Sequence, residues 1–65
     1  MKPTCKLIGE DGNVYNLIAI TRNTLKSRGF QQEINQFDQR LKEICENGGS
    51  YYDVLNLISE FVEVV

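Results

Sequence analysis

Five large apolar residues in the middle of the chain, Phe30, Ile34, Phe37, Leu41 and Ile44, stand 4, 3, 4 and 3 positions apart, with polar residues almost everywhere between them. Only an α-helix returns side chains to one face at that interval, so the spacing predicts an amphipathic helix over about 30–47. Its stripe is narrow, about 100° wide, which suits a seam against one neighbouring helix or a coiled-coil-like contact more than a deeply buried element. The rest of a 65-residue chain has to cover that stripe. A chain of this length builds one core, has no room for a second domain and folds with little margin.

Helical spacing recurs on both sides. Val14, Leu17, Ile18, Thr21 and Leu25 predict a helix over about 14–28, with Asn13 as its N-cap, Glu10 and Asp11 just outside its positive end, and Gly29 as the residue after its last turn. The Asp11-Gly12 pair is also a hairpin signal, so residues 13–15 read either as a hairpin strand or as the first helical turn. Asn47-Gly48-Gly49 closes the middle helix. Ser50 and Asp53 then resemble a capping box with an acid shorter than the usual Glu or Gln, opening a third helix over about 51–61. Its apolar positions Tyr51, Val54, Leu55, Leu57, Ile58, Phe61 and Val62 sweep an arc of roughly 160°, which predicts the central element of the core, with Tyr51 inside and Tyr52 at least partly exposed. Thr4–Ile8 and residues 62–65 have strand character. Two lone strands leave backbone groups unsatisfied unless they pair. The expected fold is therefore a small α+β domain in the order β-α-α-α-β, its terminal strands joined in a small sheet.

Composition removes whole classes of function. Seven basic residues against nine acidic leave a net charge of −2, unlike chains held on phosphates by excess positive charge. No histidine occurs, so the usual near-neutral general base is missing, and two cysteines cannot by themselves furnish a four-ligand zinc site. We expect no catalytic, cofactor-binding or metal-ligating residues and no enzymatic activity. Only Leu7-Ile8 separates the basic start from Gly9, far short of a signal peptide's apolar run, and the apolar stretch from Val54 is broken by Asn56, Ser59, Glu60 and Glu63. The expectation is a cytoplasmic protein without a membrane span, in which Cys5 and Cys45 are reduced, buried, small hydrophobes.

Gly9-Glu10-Asp11-Gly12-Asn13 lies where a phosphate cradle would, between a strand and a helix N-terminus. It lacks the Gly-Lys-Ser/Thr ending of a P-loop and the spaced carboxylates of a calcium loop, and reads as a turn and cap. Charge is uneven: residues 1–28 carry +3 and the remainder −5. Arg22, Lys26 and Arg28 form a small basic patch that would reach phosphates, although cations gather at helix C-termini for local reasons too. Glu33, Asp38, Glu43 and Glu46 read as the solvated face of the middle helix. Tyr52, Arg22, Lys26 and Arg28 are the residues assigned to a partner surface.

The runs Lys6-Leu7-Ile8-Gly9-Glu10-Asp11-Gly12-Asn13, Leu25-Lys26-Ser27-Arg28-Gly29 and Gly49-Ser50-Tyr51-Tyr52-Asp53-Val54-Leu55, with the ending Phe61-Val62-Glu63-Val64, resemble a family of very short uncharacterised proteins of bacterial genomes and their mobile elements. The resemblance spans most of the chain except the middle of the second helix. It implies a free-standing cytoplasmic protein and carries no activity, cofactor or functional residues. The functional expectation is a non-enzymatic protein–protein interaction module that self-associates, as a homodimer, because so short a chain without disulfide or metal gains from burying surface against a copy. The alternative is a small nucleic-acid-associated regulator using the basic patch on the first helix.

Overall fold

In a computed structural model, which describes residues 2–9 and 12–65, the order is β1 (Thr4–Cys5), α1 (Val14–Ser27), α2 (Gln31–Glu46), α3 (Tyr51–Phe61) and β2 (Glu63–Val64). This is the expected α+β arrangement. Glu10 and Asp11, assigned to the flank of the first helix, lie outside the described residues.

Local chemistry accounts for the helix ends. Asn13 Oδ1 accepts from the Tyr15 N–H at 2.9 Å, so residues 13–15 form a cap and first helical turn rather than a hairpin strand. At the other end Phe30 N–H reaches Leu25 O at 2.9 Å and Gly29 N–H reaches Lys26 O, the paired bonds of a Schellman motif, with Gly29 at φ +78°. The same motif closes α2: Gly49 N–H bonds Ile44 O at 2.8 Å, Gly48 N–H bonds Cys45 O, and Gly48 has φ +69°. The capping box of α3 is fully reciprocal, Ser50 N–H donating to Asp53 Oδ2 at 2.8 Å and Asp53 N–H to Ser50 Oγ. The shorter acid reaches.

Both strands are shorter than the 4–8 and 62–65 expected, and they pair in parallel, Thr4 opposite Glu63 and Cys5 opposite Val64. Glu63 N–H donates to Pro3 O and Val65 N–H to Cys5 O. Leu7 and Ile8 then both donate to the Val65 carbonyl, which converts the ladder into the turn at Gly9 and ends β1 early. α3 packs on α2, α1 and β2, and α1 packs on α2, α3 and β1, so the core is shared between them rather than centred on the third helix alone.

The core joins Cys5 and Leu7 to Leu17 and Leu25 of α1, Ile34 and Phe37 of α2, Val54, Leu57 and Ile58 of α3, and Val62. Phe37 is fully buried and meets Phe61 edge-on at 5.5 Å. The middle of α2 is therefore deeply buried, a correction to the seam reading, because α1 and α3 both close over it. Thr21 is buried within the α1 stripe, its hydroxyl satisfied by Leu17 O at 2.8 Å. Two further expectations are corrected: Tyr51 is 42% exposed, and Cys45 is exposed on α2 while only Cys5 is buried. Both sit at the margin of an apolar arc, where a rotation of one residue separates core from solvent.

Candidate interaction surface

One side of α3 borders a groove rather than the core. Leu55 and Ile58 form its floor with Leu17, and Tyr51 stands at one end beside Gly12. The opposite wall comes from the chain termini: Ile8 follows β1, Val64 belongs to β2, and the Ile8 N–H bond to Val65 O holds these segments together. The groove has a volume of about 300 Å³ and opens to solvent.

Its two hydroxyls are already engaged. The Tyr51 hydroxyl donates to Gly12 O at 2.9 Å, and the Ser59 hydroxyl donates back to Leu55 O one turn earlier at 3.1 Å. Among the described residues, no side-chain carboxylate, amine, guanidinium or thiol lines it. A surface lined in this way suits apolar side chains.

The exposed large apolar residues gather here. Ile8 (69% exposed), Tyr51 and Val64 (37%) line the groove, Val65 is bonded to its rim, and the Tyr52 ring lies edge-on against Tyr51 at 5.9 Å. Tyr15 is the sixth large apolar residue exposed among those described. Scattered singly such residues mean little, whereas a contiguous group is a candidate binding surface.

The four residues assigned from sequence fall in different settings. Tyr52 is 73% exposed and extends the apolar group. Arg22 instead makes a bidentate ion pair with Asp38, Nε to Oδ1 at 3.0 Å and Nη2 to Oδ2 at 3.1 Å, clasping α1 to α2. Asp38 is thus half-buried in a helix contact rather than part of a solvated face. Lys26 and Arg28 are exposed; Arg28 borders a shallow depression with Lys2, Pro3, Thr4 and Phe30. Lys2 Nζ in turn donates to Ser59 O at 2.8 Å, near the end of α3 where carbonyls lack helical partners.

Ile8, Tyr51, Leu55 and Val64 were not singled out from sequence. The signal for two of them was the width of the α3 arc, which is more than the core covers and leaves Tyr51 and Leu55, one turn apart, on its flank. Ile8 and Val64 carried none, since their neighbours come from opposite ends of the chain.

Three further grooves adjoin Arg40, whose guanidinium grips Glu60 through two bonds of 2.9 and 2.8 Å. That hydrogen bond, with the attraction of the charge, holds the Glu60 carboxyl below its ordinary value against a smaller opposing effect of desolvation, and raises Arg40. Among the described residues no cluster of His, Cys, Asp and Glu could hold a metal ion, and no helix is long and apolar enough to cross a membrane. The chain matches no family model, no curated protein and no solved structure.

Proposed function

We propose that this chain is a small, non-enzymatic protein–protein interaction module of the cytoplasm that associates with itself through the apolar face around Tyr51. The observation that carries this reading is the grouping of Ile8, Tyr51, Tyr52 and Val64 about one groove whose hydroxyls are internally bonded. Covering such a face removes apolar area from water, a gain that a 65-residue core has particular use for. Two cysteines without a disulfide suit a reducing compartment. The competing reading, a nucleic-acid regulator using Arg22, Lys26 and Arg28, is weakened because Arg22 is committed to Asp38.

Light scattering at micromolar concentration tests the proposal. The expected mass is twice the 7.5 kDa of one chain, retained in about 0.5 M salt because screening weakens exposed charge contacts and not apolar burial. A folded monomer at every concentration overturns it.

A further inference from the structure

We infer that the occupant of this face is a second copy of the chain, docked by antiparallel pairing of β2 with its own copy about a two-fold axis at Val64. The inference rests on the self-association reading above and specifies its geometry.

The backbone supplies the first reason. Glu63 and Val65 direct their N–H groups to β1, and Val65 also receives Leu7 and Ile8 on its carbonyl. Backbone direction alternates along a strand, so the N–H and C=O of Val64 point to the other side, where no third strand lies among the described residues. Two-residue strands paired only with each other are marginal. A two-fold at Val64 lets that residue exchange both N–H···O=C bonds with its copy, giving a four-stranded sheet β1-β2-β2′-β1′. β1 is the poorer candidate for the new edge, because Cys5 is buried and its Sγ accepts from Thr24 of α1, whereas both residues of β2 are exposed.

Charge is the second reason. Partners across the ladder share a face, so Cys5 and Val64 face the helices, while Thr4, Glu63 and, one step on, Lys6 and Val65 face solvent. Pairing about Val64 sets Glu63 opposite the copy's Val65, with the copy's Lys6 next in the row about 10 Å away. The two glutamates do not oppose each other, and each gains a lysine within reach of a long side chain across a valine. On the helix-facing side the row reads Cys5, Val64, Val64 and Cys5, all apolar, and brings the two grooves together.

Area is the third. Ile8, Tyr51, Tyr52 and Val64 on the groove side, with Val65 on the outer face of the ladder, expose on the order of 500 Å² per chain, so a symmetric contact covering all of it would bury about 1,000 Å², the lower bound for a specific interface.

Two variants test the pairing. Val64→Pro deletes the outward N–H while sparing the bonds of Glu63 and Val65, and edge strands accept proline there. Sedimentation equilibrium should show dimer dissociation raised at least about tenfold, both symmetric bonds being lost, with unchanged far-ultraviolet dichroism. Independently, Val64→Cys in a Cys5→Ala, Cys45→Ser background, which removes the intrachain thiol opposite position 64, should cross-link on mild oxidation, since hydrogen-bonded antiparallel partners have Cα atoms about 5.5 Å apart, within disulfide range. If Val64→Pro does not fold, the cross-link decides. A dimer that neither cross-links at position 64 nor loosens with Val64→Pro, but is broken by Tyr52→Glu, overturns the strand pairing and leaves the apolar-face reading standing. A monomeric parent chain overturns both.

Discussion

The Tyr51 hydroxyl donates to the Gly12 carbonyl at 2.9 Å, tying the first turn of α3 to the approach of α1 across 39 positions of sequence. To make this bond the ring lies along the surface instead of entering the core, which is why a residue on the apolar arc of α3 is 42% exposed. The tether also closes one end of the groove.

Tyr51→Phe keeps the ring and removes one bond to a carbonyl that water can reach, so it should cost about 0.5–1 kcal/mol. Thermal melts should fall by several degrees, at roughly 4–8 °C per kcal/mol for a domain of this size, while the dimer mass is retained. Tyr51→Ala removes the wall as well and should weaken association in the same scattering measurement.

Phe37→Ala should cost about 3–5 kcal/mol, the range for truncating a fully buried aromatic side chain, and leave the domain largely unfolded at room temperature. Leu41 is only half-buried, so Leu41→Ala should cost less. Glu43→Gln, on the exposed side of the same helix, should leave the denaturation midpoint unchanged. Equal midpoints for Phe37→Ala and Glu43→Gln would contradict the register of α2.

Acid should erase the contribution of the pair between α2 and α3. Because Arg40 holds Glu60 below its ordinary 4.5, the folded state keeps this carboxylate charged where the unfolded state begins to protonate it. The stabilisation is present above that value and is lost as pH falls through the lowered one. Melts of the parent and Arg40→Gln should therefore differ at neutral pH and converge as the pH falls below the ordinary 4.5. Salt should narrow the gap as well, since both side chains are exposed.

Gly49→Ala should destabilise more than Gly29→Ala. At Gly29 a Cβ meets nothing within 4 Å, and the cost is that of φ +78° for a residue with a side chain, roughly 1–2 kcal/mol. At Gly49 it would drive into the Ile44 side chain and lie 2.9 Å from the Ile44 carbonyl, which is backbone and cannot swing away. Denaturant midpoints should rank parent, Gly29→Ala, Gly49→Ala.

With Arg22 held by Asp38, only Lys26 and Arg28 of the basic patch remain for phosphates. A titration of labelled duplex DNA should show weak binding with a log–log salt slope no steeper than about −2. Tight binding with a steeper slope, lost in a folded Lys26→Ala, Arg28→Ala variant, would favour the nucleic-acid reading instead.

Helices, caps and their order follow from the sequence by itself, because each is decided within a few residues. Phe30 to Ile44 repeats at the helical interval, Asn13 and Ser50 carry oxygens that reach N–H groups two or three residues on, and Gly29 and Gly48 follow last turns that need a left-handed residue. Tertiary structure alone decided the parallel register of Thr4 on Glu63, the withdrawal of Arg22 to Asp38, and the exposure of Tyr51 and Cys45. Each of these depends on which distant segment lies alongside. A side chain at the margin of an apolar arc is buried only if a neighbour covers it, and a cation is free only if no acid on another helix stands within reach. Local spacing contains neither distance, and packing of α1, α2 and α3 around Phe37 supplies both.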